Sequence, residues 1–206
     1  MHYMAMLESE LQRLTHHLGV DPHQPRVYIQ RGMAYFKLGH IAAAITDFDR
    51  AEHLDPALTP RLWQRGLAYY YAKRFADGAR QFEVDLTVNK HDVEETVWRY
   101  LCLAQVQGAP AARTGLFPVH RDSRAVMGWI YRLFAGECPV ETVLAQHRDA
   151  GQREQFYTHL YVGLYHEAER DAARARQYIT KAAAMQVLDD YMGWVAMVHQ
   201  RLRGWA

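Results

Sequence analysis

Apolar residues recur every three to four positions along most of this chain, with charged residues between them. The first segment shows the spacing clearly, because Leu7, Leu11, Leu14 and Leu18 follow it until Gly19. A stripe with this period is typical of an amphipathic helix, and no segment alternates as a half-buried strand would. The sequence therefore predicts an all-α fold.

A repeated block is the strongest feature of the sequence. Gln30–Phe36 reads QRGMAYF and Gln64–Tyr70 reads QRGLAYY, which gives a period of 34 residues. Breaks at Gly39 and at Asp55–Pro56 divide the first copy into two helices. A single helical hairpin cannot bury both of its apolar faces, so it requires neighbours. We therefore expect a stack of antiparallel helix pairs.

The first copy resembles the tetratricopeptide repeat at its aromatic, Gly, Tyr, Ala, Phe, Ala and Pro positions. These are Tyr28, Gly32, Tyr35, Ala44, Phe48, Ala51 and Pro56. The second copy keeps Gly66, Tyr69 and Phe82 but departs at Leu62, Gly78, Asp85 and Lys90. In both copies an arginine, Arg31 or Arg65, replaces the apolar residue that usually precedes the glycine. The resemblance implies a right-handed α-solenoid.

The repeats predict a single tetratricopeptide-like domain over residues 1–206. Its predicted parts are a capping helix (4–18), repeat 1 (25–58), repeat 2 (59–92), degenerate helix pairs (93–150), repeat 3 (153–188) and a C-terminal capping helix (190–203). Repeat 3 rests on Ala175, Ile179 and Ala182, which reproduce the spacing of the second helix in repeat 1. The first helix of repeat 2 is expected at about 60–72.

The order of these parts resembles the NlpI group of bacterial tetratricopeptide lipoproteins and related proteins of plants and algae. The likeness rests on Gln64–Gln105 and Phe156–Ala183. Members of the bacterial group are lipid-anchored adaptors that dimerise and dock hydrolases, so the resemblance implies an adaptor. The sequence shows no signal peptide, lipobox cysteine or transmembrane segment. We therefore expect no lipid anchor, no membrane insertion and, by default, a cytoplasmic location.

Composition and motifs favour neither nucleic-acid binding nor catalysis. The net charge of +1 predicts no bulk attraction to nucleic acid. Cys102 and Cys138 lack metal or redox spacing, and the pair His159 and His166 lacks a third ligand. Phosphate-binding loops, dinucleotide fingerprints and nucleophile motifs are missing from the sequence. We expect no enzymatic activity, no cofactor and no metal.

The first helix of each pair is expected to line the concave side of the stack, where a protein or peptide would bind. Repeat register predicts these contact residues: Arg26, Ile29, Met33, Phe36, Trp63, Leu67, Tyr70 and Trp98. Aromatic residues and arginine are the usual anchors of protein interfaces. The Lys and Asn that clamp a C-terminal carboxylate in some tetratricopeptide domains are replaced by Ile29, Met33 and Gln64.

Two functions fit this pattern. The first is a non-catalytic adaptor or assembly scaffold, and the alternative is an integral subunit of a larger complex. The leucine stripe of the N-terminal helix predicts either a cap for repeat 1 or a homodimer contact. Arg170, Arg174 and Arg176 alternate with Glu167, Glu169 and Asp171, which predicts a charged outer face.

Overall fold

The computed structural model describes residues 2–119 and 122–205, and every regular element within these ranges is a helix. The predicted all-α fold is confirmed. Backbone contacts group the chain into two compact units, Met1–Val88 and Asn89–Ala206. The single domain remains a prediction.

The first unit consists of helices separated by short turns. They are α1 (His2–Val20), α2 (Pro25–Lys37), α3 (Ile41–Leu54), a 3₁₀ helix (Pro56–Arg61), α4 (Trp63–Tyr71) and α5 (Phe75–Asp85). Proline at the first position of α2 favours helix initiation, since its missing N–H would have no partner there. Gly39 adopts a positive φ of 77° in the turn after α2, which allows α3 to fold back on it.

The glycine of each copy lets two helices pack closely. A Cβ atom on Gly32 would lie 2.9 Å from Cε1 of Phe48, and one on Gly66 would lie 2.6 Å from Cζ of Phe82. Both phenylalanines are at most 1% exposed, so their rings are held by the surrounding core. The repeated Gly and Phe positions therefore produce the same helix–helix contact in α2–α3 and α4–α5.

The first helix of repeat 2 starts later than the predicted position 60. Pro56–Arg61 form a 3₁₀ helix, and α4 begins at Trp63. Pro60 has φ −79° and ψ 19°, and Asp55 caps this short helix by accepting a hydrogen bond from the backbone N–H of Ala57 (3.1 Å). Because proline lacks an N–H and its ring crowds the preceding turn, it interrupts a continuous helix here.

Helix α1 packs on the first repeat. Leu14 and Leu18 are buried and form one apolar cluster with Val27 of α2, against which Tyr28 also packs. This is the arrangement expected of a capping helix. Because Leu14 and Leu18 are buried against α2, little of the leucine stripe is exposed for contact with a second copy of the chain. Homodimerisation remains a prediction.

The second unit begins with a polar turn and continues as helices. They are α6 (Val93–Gln107), α7 (Ala109–Thr114), α8 (Ala125–Ala135), α9 (Val140–Gln146), α10 (Gln152–Ala168), α11 (Ala172–Ala184) and α12 (Tyr191–Leu202). Helices α6, α11 and α12 are each preceded by an aspartate whose side chain accepts a backbone hydrogen bond, namely Asp92, Asp171 and Asp190. Such N-caps satisfy donors that a helix start leaves unpaired.

Helices α10 and α11 reproduce the close hairpin of the first unit. A Cβ atom on Gly163 would lie 2.8 Å from Cγ1 of Ile179. Ala175, Ile179 and Ala182 have no exposed surface. Helices α8 and α9 pack on this hairpin through a cluster of Leu133, Val143 and Val162. The second unit is thus built around a pair with repeat geometry.

Candidate protein-binding surface

Three of the predicted contact residues share one side of α2. Arg26 is exposed, and Ile29 and Met33 are half-buried, at helical spacings of three and four residues. We call these three residues the α2 surface. Trp63, at the start of α4, is also half-buried. Nε2 of Gln64 lies 3.8 Å from Sδ of Met33, so α4 supports the α2 surface from the side.

The other predicted contact residues are buried. Phe36, Leu67 and Tyr70 are at most 1% exposed, and Trp98 in the second unit is 2% exposed. Phe36 packs edge-on against Tyr71, with ring centroids 5.6 Å apart. Side chains without exposed surface cannot touch a partner in this structure. Repeat register assigns them to first helices but does not distinguish a core position from a surface one.

Arg31 is one of the two arginines that depart from the repeat pattern, and it forms an ion pair. Its Nε donates to Oδ2 of Asp47 and its Nη2 donates to Oδ1, both at 2.7 Å. Asp47 is 3% exposed, and the hydrogen bond to its carboxylate raises the pKa of Arg31. This bidentate pair links α2 to α3.

Arg65 occupies the same position one repeat later. Its Nε donates to Oε1 of Gln81 (2.8 Å), and Gln81 stands where Asp47 stands in the first copy. Its Nη1 donates to Glu52 (2.6 Å) and to Asp49 (3.0 Å) on α3. Arg65 is 6% exposed. Its hydrogen bonds join α4 to α3 and to α5. The sequence analysis did not predict these pairs. Asp47 and Gln81 lie one repeat period apart, as Arg31 and Arg65 do, and this shared spacing could have indicated them.

The same network reaches a buried carboxyl group. Nε2 of Gln81 donates to Oδ1 of Asp85 at 2.7 Å. Asp85 is 1% exposed, and burial raises its pKa to about 7, although the Gln81 hydrogen bond and the charge of Arg65 lower it. A cleft of about 270 Å³ lies beside Arg65 and Glu52. These two groups are already paired with each other, so the network links α4 to the helices on both sides of it.

A second cluster of polar side chains connects helices of the second unit. Arg124 pairs with Glu94 and, through Nη2, with Asp122 at 2.9 Å. The hydroxyl of Tyr161 donates to Oε1 of Glu94 at 2.7 Å. Burial raises the pKa of Glu94, and the positive charge of Arg124 opposes this shift. With both oxygens engaged, the carboxylate connects α6 to α10 and to the residues before α8.

The histidine pair on α10 packs around an aromatic ring. The rings of His159 and His166 each stack with the ring of Tyr178 of α11, at centroid distances of 5.9 and 5.8 Å. Burial lowers the pKa of both histidines. Within residues 2–119 and 122–205, no three His, Cys, Asp or Glu side chains are placed to hold a metal ion. In the same ranges, no helix combines the length and the hydropathy needed to cross a bilayer.

Comparison with known proteins identifies the hairpin that carries the α2 surface. Residues 25–58 match the family model of the tetratricopeptide repeat. The chain is also 26% identical over 102 residues to the Protein SGT1 homolog of Bos taurus, covering 50% of this chain and 30% of that protein. It is 29% identical over 92 residues to Tetratricopeptide repeat protein 13 of Homo sapiens, covering 44% of this chain and 10% of that protein.

The family match covers the first repeat, residues 25–58. The chain spans less than a third of the length of either relative, so neither relative as a whole describes it. The family match falls on the hairpin of α2 and α3, and a repeat of this type generally serves protein–protein interaction. The resemblance to the NlpI group remains a prediction.

Proposed function

We propose that this chain is a non-catalytic adaptor or assembly scaffold that binds a segment of a protein partner on the α2 surface. The observation that carries the proposal is the tetratricopeptide match over 25–58, together with the exposure of Arg26 and the partial exposure of Ile29 and Met33. These side chains lie on the first helix of the matched repeat. Arg31 and Gly32 face the neighbouring helix α3 instead.

The chemistry of the α2 surface favours a segment with both apolar and acidic residues. Methionine adapts its shape to different apolar partners because its unbranched chain is flexible and polarisable. Arg26 adds a cation at the edge, and arginine is a frequent energetic anchor of protein interfaces. A short helix or extended segment with an apolar residue next to a carboxylate would satisfy both features.

The test is affinity capture with paired variants of the full chain. Arg26→Glu/Met33→Glu alters the α2 surface, and Ala42→Glu/Arg61→Glu places the same change of charge on exposed residues elsewhere in the first unit. We expect the α2 variant to retain roughly tenfold less of a specific partner than wild type, because apolar and charged contacts are both lost. The control variant should retain the partner.

Quantitative mass spectrometry of the captured proteins provides the readout, and circular dichroism verifies that both variants are folded. Equal retention by the two variants would place the interaction elsewhere on the chain. Loss of all partners by both variants would indicate that capture depends on net charge alone, which also contradicts the proposal.

A further inference from the structure

One departure from the repeat pattern places a carboxyl group in the interior of the first unit. Asp85 stands one repeat period after Ala51, which has no exposed surface. Asp85 is itself only 1% exposed. The second copy therefore buries a carboxyl group where the first copy buries a methyl group, and a buried charge is costly unless it is paired.

The hydrogen bonds of the Asp85 side chain are incomplete. Its Oδ1 accepts from Nε2 of Gln81 at 2.7 Å. Its Oδ2 is buried and has no hydrogen-bond partner among the residues that the structure describes. A carboxylate in this state is much less stable than a neutral carboxyl group, because its unpaired charge has lost its hydration. The arrangement of the side chain therefore favours the protonated acid.

The place of Asp85 in α5 adds to this preference. Asp85 is the last residue of the helix, where the backbone carbonyl groups leave a partial negative charge that disfavours a carboxylate. The turn that follows is closed by three backbone hydrogen bonds of 3.0–3.1 Å, from the N–H groups of Leu86, Thr87 and Val88 to the carbonyl groups of Phe82, Val84 and Asp85. We call residues 85–88 the α5 end.

One positive charge acts in the opposite direction. Arg65 of α4 lowers the pKa of Asp85 through its charge, as does the hydrogen bond from Gln81. Arg65 also donates to Glu52 and Asp49 of α3, so its charge is shared with two other carboxylates. Burial outweighs both effects and raises the pKa of Asp85 to about 7.

The other elements packed on α5 bring no further charge to this carboxyl group. The 3₁₀ helix offers the backbone carbonyl of Thr59, which accepts from Nε2 of Gln81 at 2.8 Å, and the arginine of that helix, Arg61, is exposed. On α5 itself, Arg80 and Glu83 are exposed. The protonation of Asp85 is therefore set by its burial and by the network of Gln81 and Arg65.

We propose that Asp85 is a pH-sensitive latch, whose neutral form keeps the α5 end closed and whose ionised form releases residues 85–88 from their turn. Release brings the carboxylate into water and so removes the cost of an unpaired buried charge. The open form has the ordinary affinity for protons, so each pH unit between about 4 and 7 makes opening roughly tenfold more favourable. The α2 surface lies on another helix, so this proposal and the proposed function can fail separately.

Hydrogen exchange of backbone amides tests the latch in the full chain. The amides of Leu86, Thr87 and Val88 are followed by NMR at pH 5 and pH 8, and each rate is divided by the intrinsic exchange rate at that pH. We expect their protection in wild type to fall at least about tenfold from pH 5 to pH 8. Asp85→Asn puts a neutral group of the same shape in place of the acid, so protection there should change less than about twofold.

Asp77→Asn is the matched control, because it removes from the same helix a carboxylate whose side chain is 43% exposed. It should show the same fall in protection as wild type. The amides of α3 should stay better protected than Leu86–Val88 at both pH values, because the opening is local.

Three results would overturn the proposal. Unchanged protection of Leu86–Val88 in wild type would mean that Asp85 does not control this turn. An equal fall in Asp85→Asn would assign the effect to another group. Protection of α3 as low as that of Leu86–Val88 at pH 8 would mean that the helices unfold together and that there is no local latch.

Discussion

Arg65 occupies an interior position where the repeat pattern usually has an apolar residue. It is 6% exposed and bonds Gln81 on α5 as well as Asp49 and Glu52 on α3. The burial of its guanidinium group lowers its pKa, but the hydrogen bonds to Glu52 and Asp49 outweigh this effect. Arg65 therefore remains charged and acts as a connector between neighbouring helix pairs.

Replacing this connector should destabilise the chain. We expect Arg65→Met to lower the free energy of unfolding by about 2–3 kcal/mol, because the buried Gln81 loses the donor for its Oε1. Glu52 and Asp49 are partly exposed, so water replaces some of their lost bonds. Urea unfolding gives the measurement, and Arg80→Met, on an exposed residue, should change stability by less than about 0.5 kcal/mol. Equal effects of the two substitutions would argue against the connector role.

Asp85 makes stability depend on pH. Its pKa is raised to about 7 by burial, so the folded state keeps a proton that the unfolded state releases above its ordinary pKa. Unfolding therefore releases a proton between about pH 4 and pH 7, and stability falls as pH rises through this range. The cost reaches its full value above pH 7 and is on the order of 2–4 kcal/mol.

Asp85→Asn should remove this pH dependence. We expect the variant to be more stable than wild type at pH 8 and close to wild type at pH 4, as measured by urea unfolding at both values. Asp77→Asn is the matched control, because Asp77 is exposed and forms its ion pair at the surface. A wild-type slope that persists in Asp85→Asn would show that other groups cause it.

The sequence predicted the close helix contacts but not the burial of individual side chains. The pattern located Gly32, Gly66 and the phenylalanines opposite them, because small and large residues at fixed spacing report packing. It did not separate buried Phe36 and Tyr70 from the half-buried Met33. Position within a helix fixes the direction of a side chain, whereas burial depends on what packs above it, and a single sequence does not specify that.

At the scale of elements, the period of the apolar residues predicted the helices well. Residues 4–18 and 190–203 were predicted as helices, and the observed helices α1 (His2–Val20) and α12 (Tyr191–Leu202) have ends that differ from them by one or two residues. The predicted start of α4 at residue 60 lies three residues before the observed start at Trp63, because Pro60 belongs to a 3₁₀ helix. Helix ends follow local capping, and a proline close to a predicted start allows either outcome.

Two glycines of the second unit test the packing of these elements. Gly163 lies in α10, where a Cβ atom would come within 2.8 Å of a side-chain atom and 3.0 Å of the backbone nitrogen of Ile179. Gly128 lies in α8, where a Cβ atom would meet nothing within 4 Å. The two substitutions to alanine bring the same gain in helix propensity, so their difference reports the close approach of α10 and α11.

We expect Gly163→Ala to lower the free energy of unfolding by about 1–3 kcal/mol, since overpacking outweighs the propensity gain. Gly128→Ala should raise it by up to about 1 kcal/mol. Thermal and urea unfolding of the full chain provide both values. A stabilised Gly163→Ala variant would mean that the two helices lie further apart than in this structure.

At the scale of the whole molecule, the chain contains two compact units, each with at least one hairpin of repeat geometry. The single domain remains a prediction, and in the sequence the polar turn before α6 looks like any other turn between helix pairs. The proposed α2 surface lies within the first unit.

The central claim is that a protein partner occupies the α2 surface. Site-specific photocrosslinking tests it directly, with p-benzoylphenylalanine placed at Arg26 in one version of the full chain and at exposed Ala42 of α3 in another. After irradiation in an extract of the source cells, we expect a discrete crosslinked partner from position 26 and little or none from position 42. Crosslinks of equal yield from both positions, or from position 42 alone, would contradict the claim.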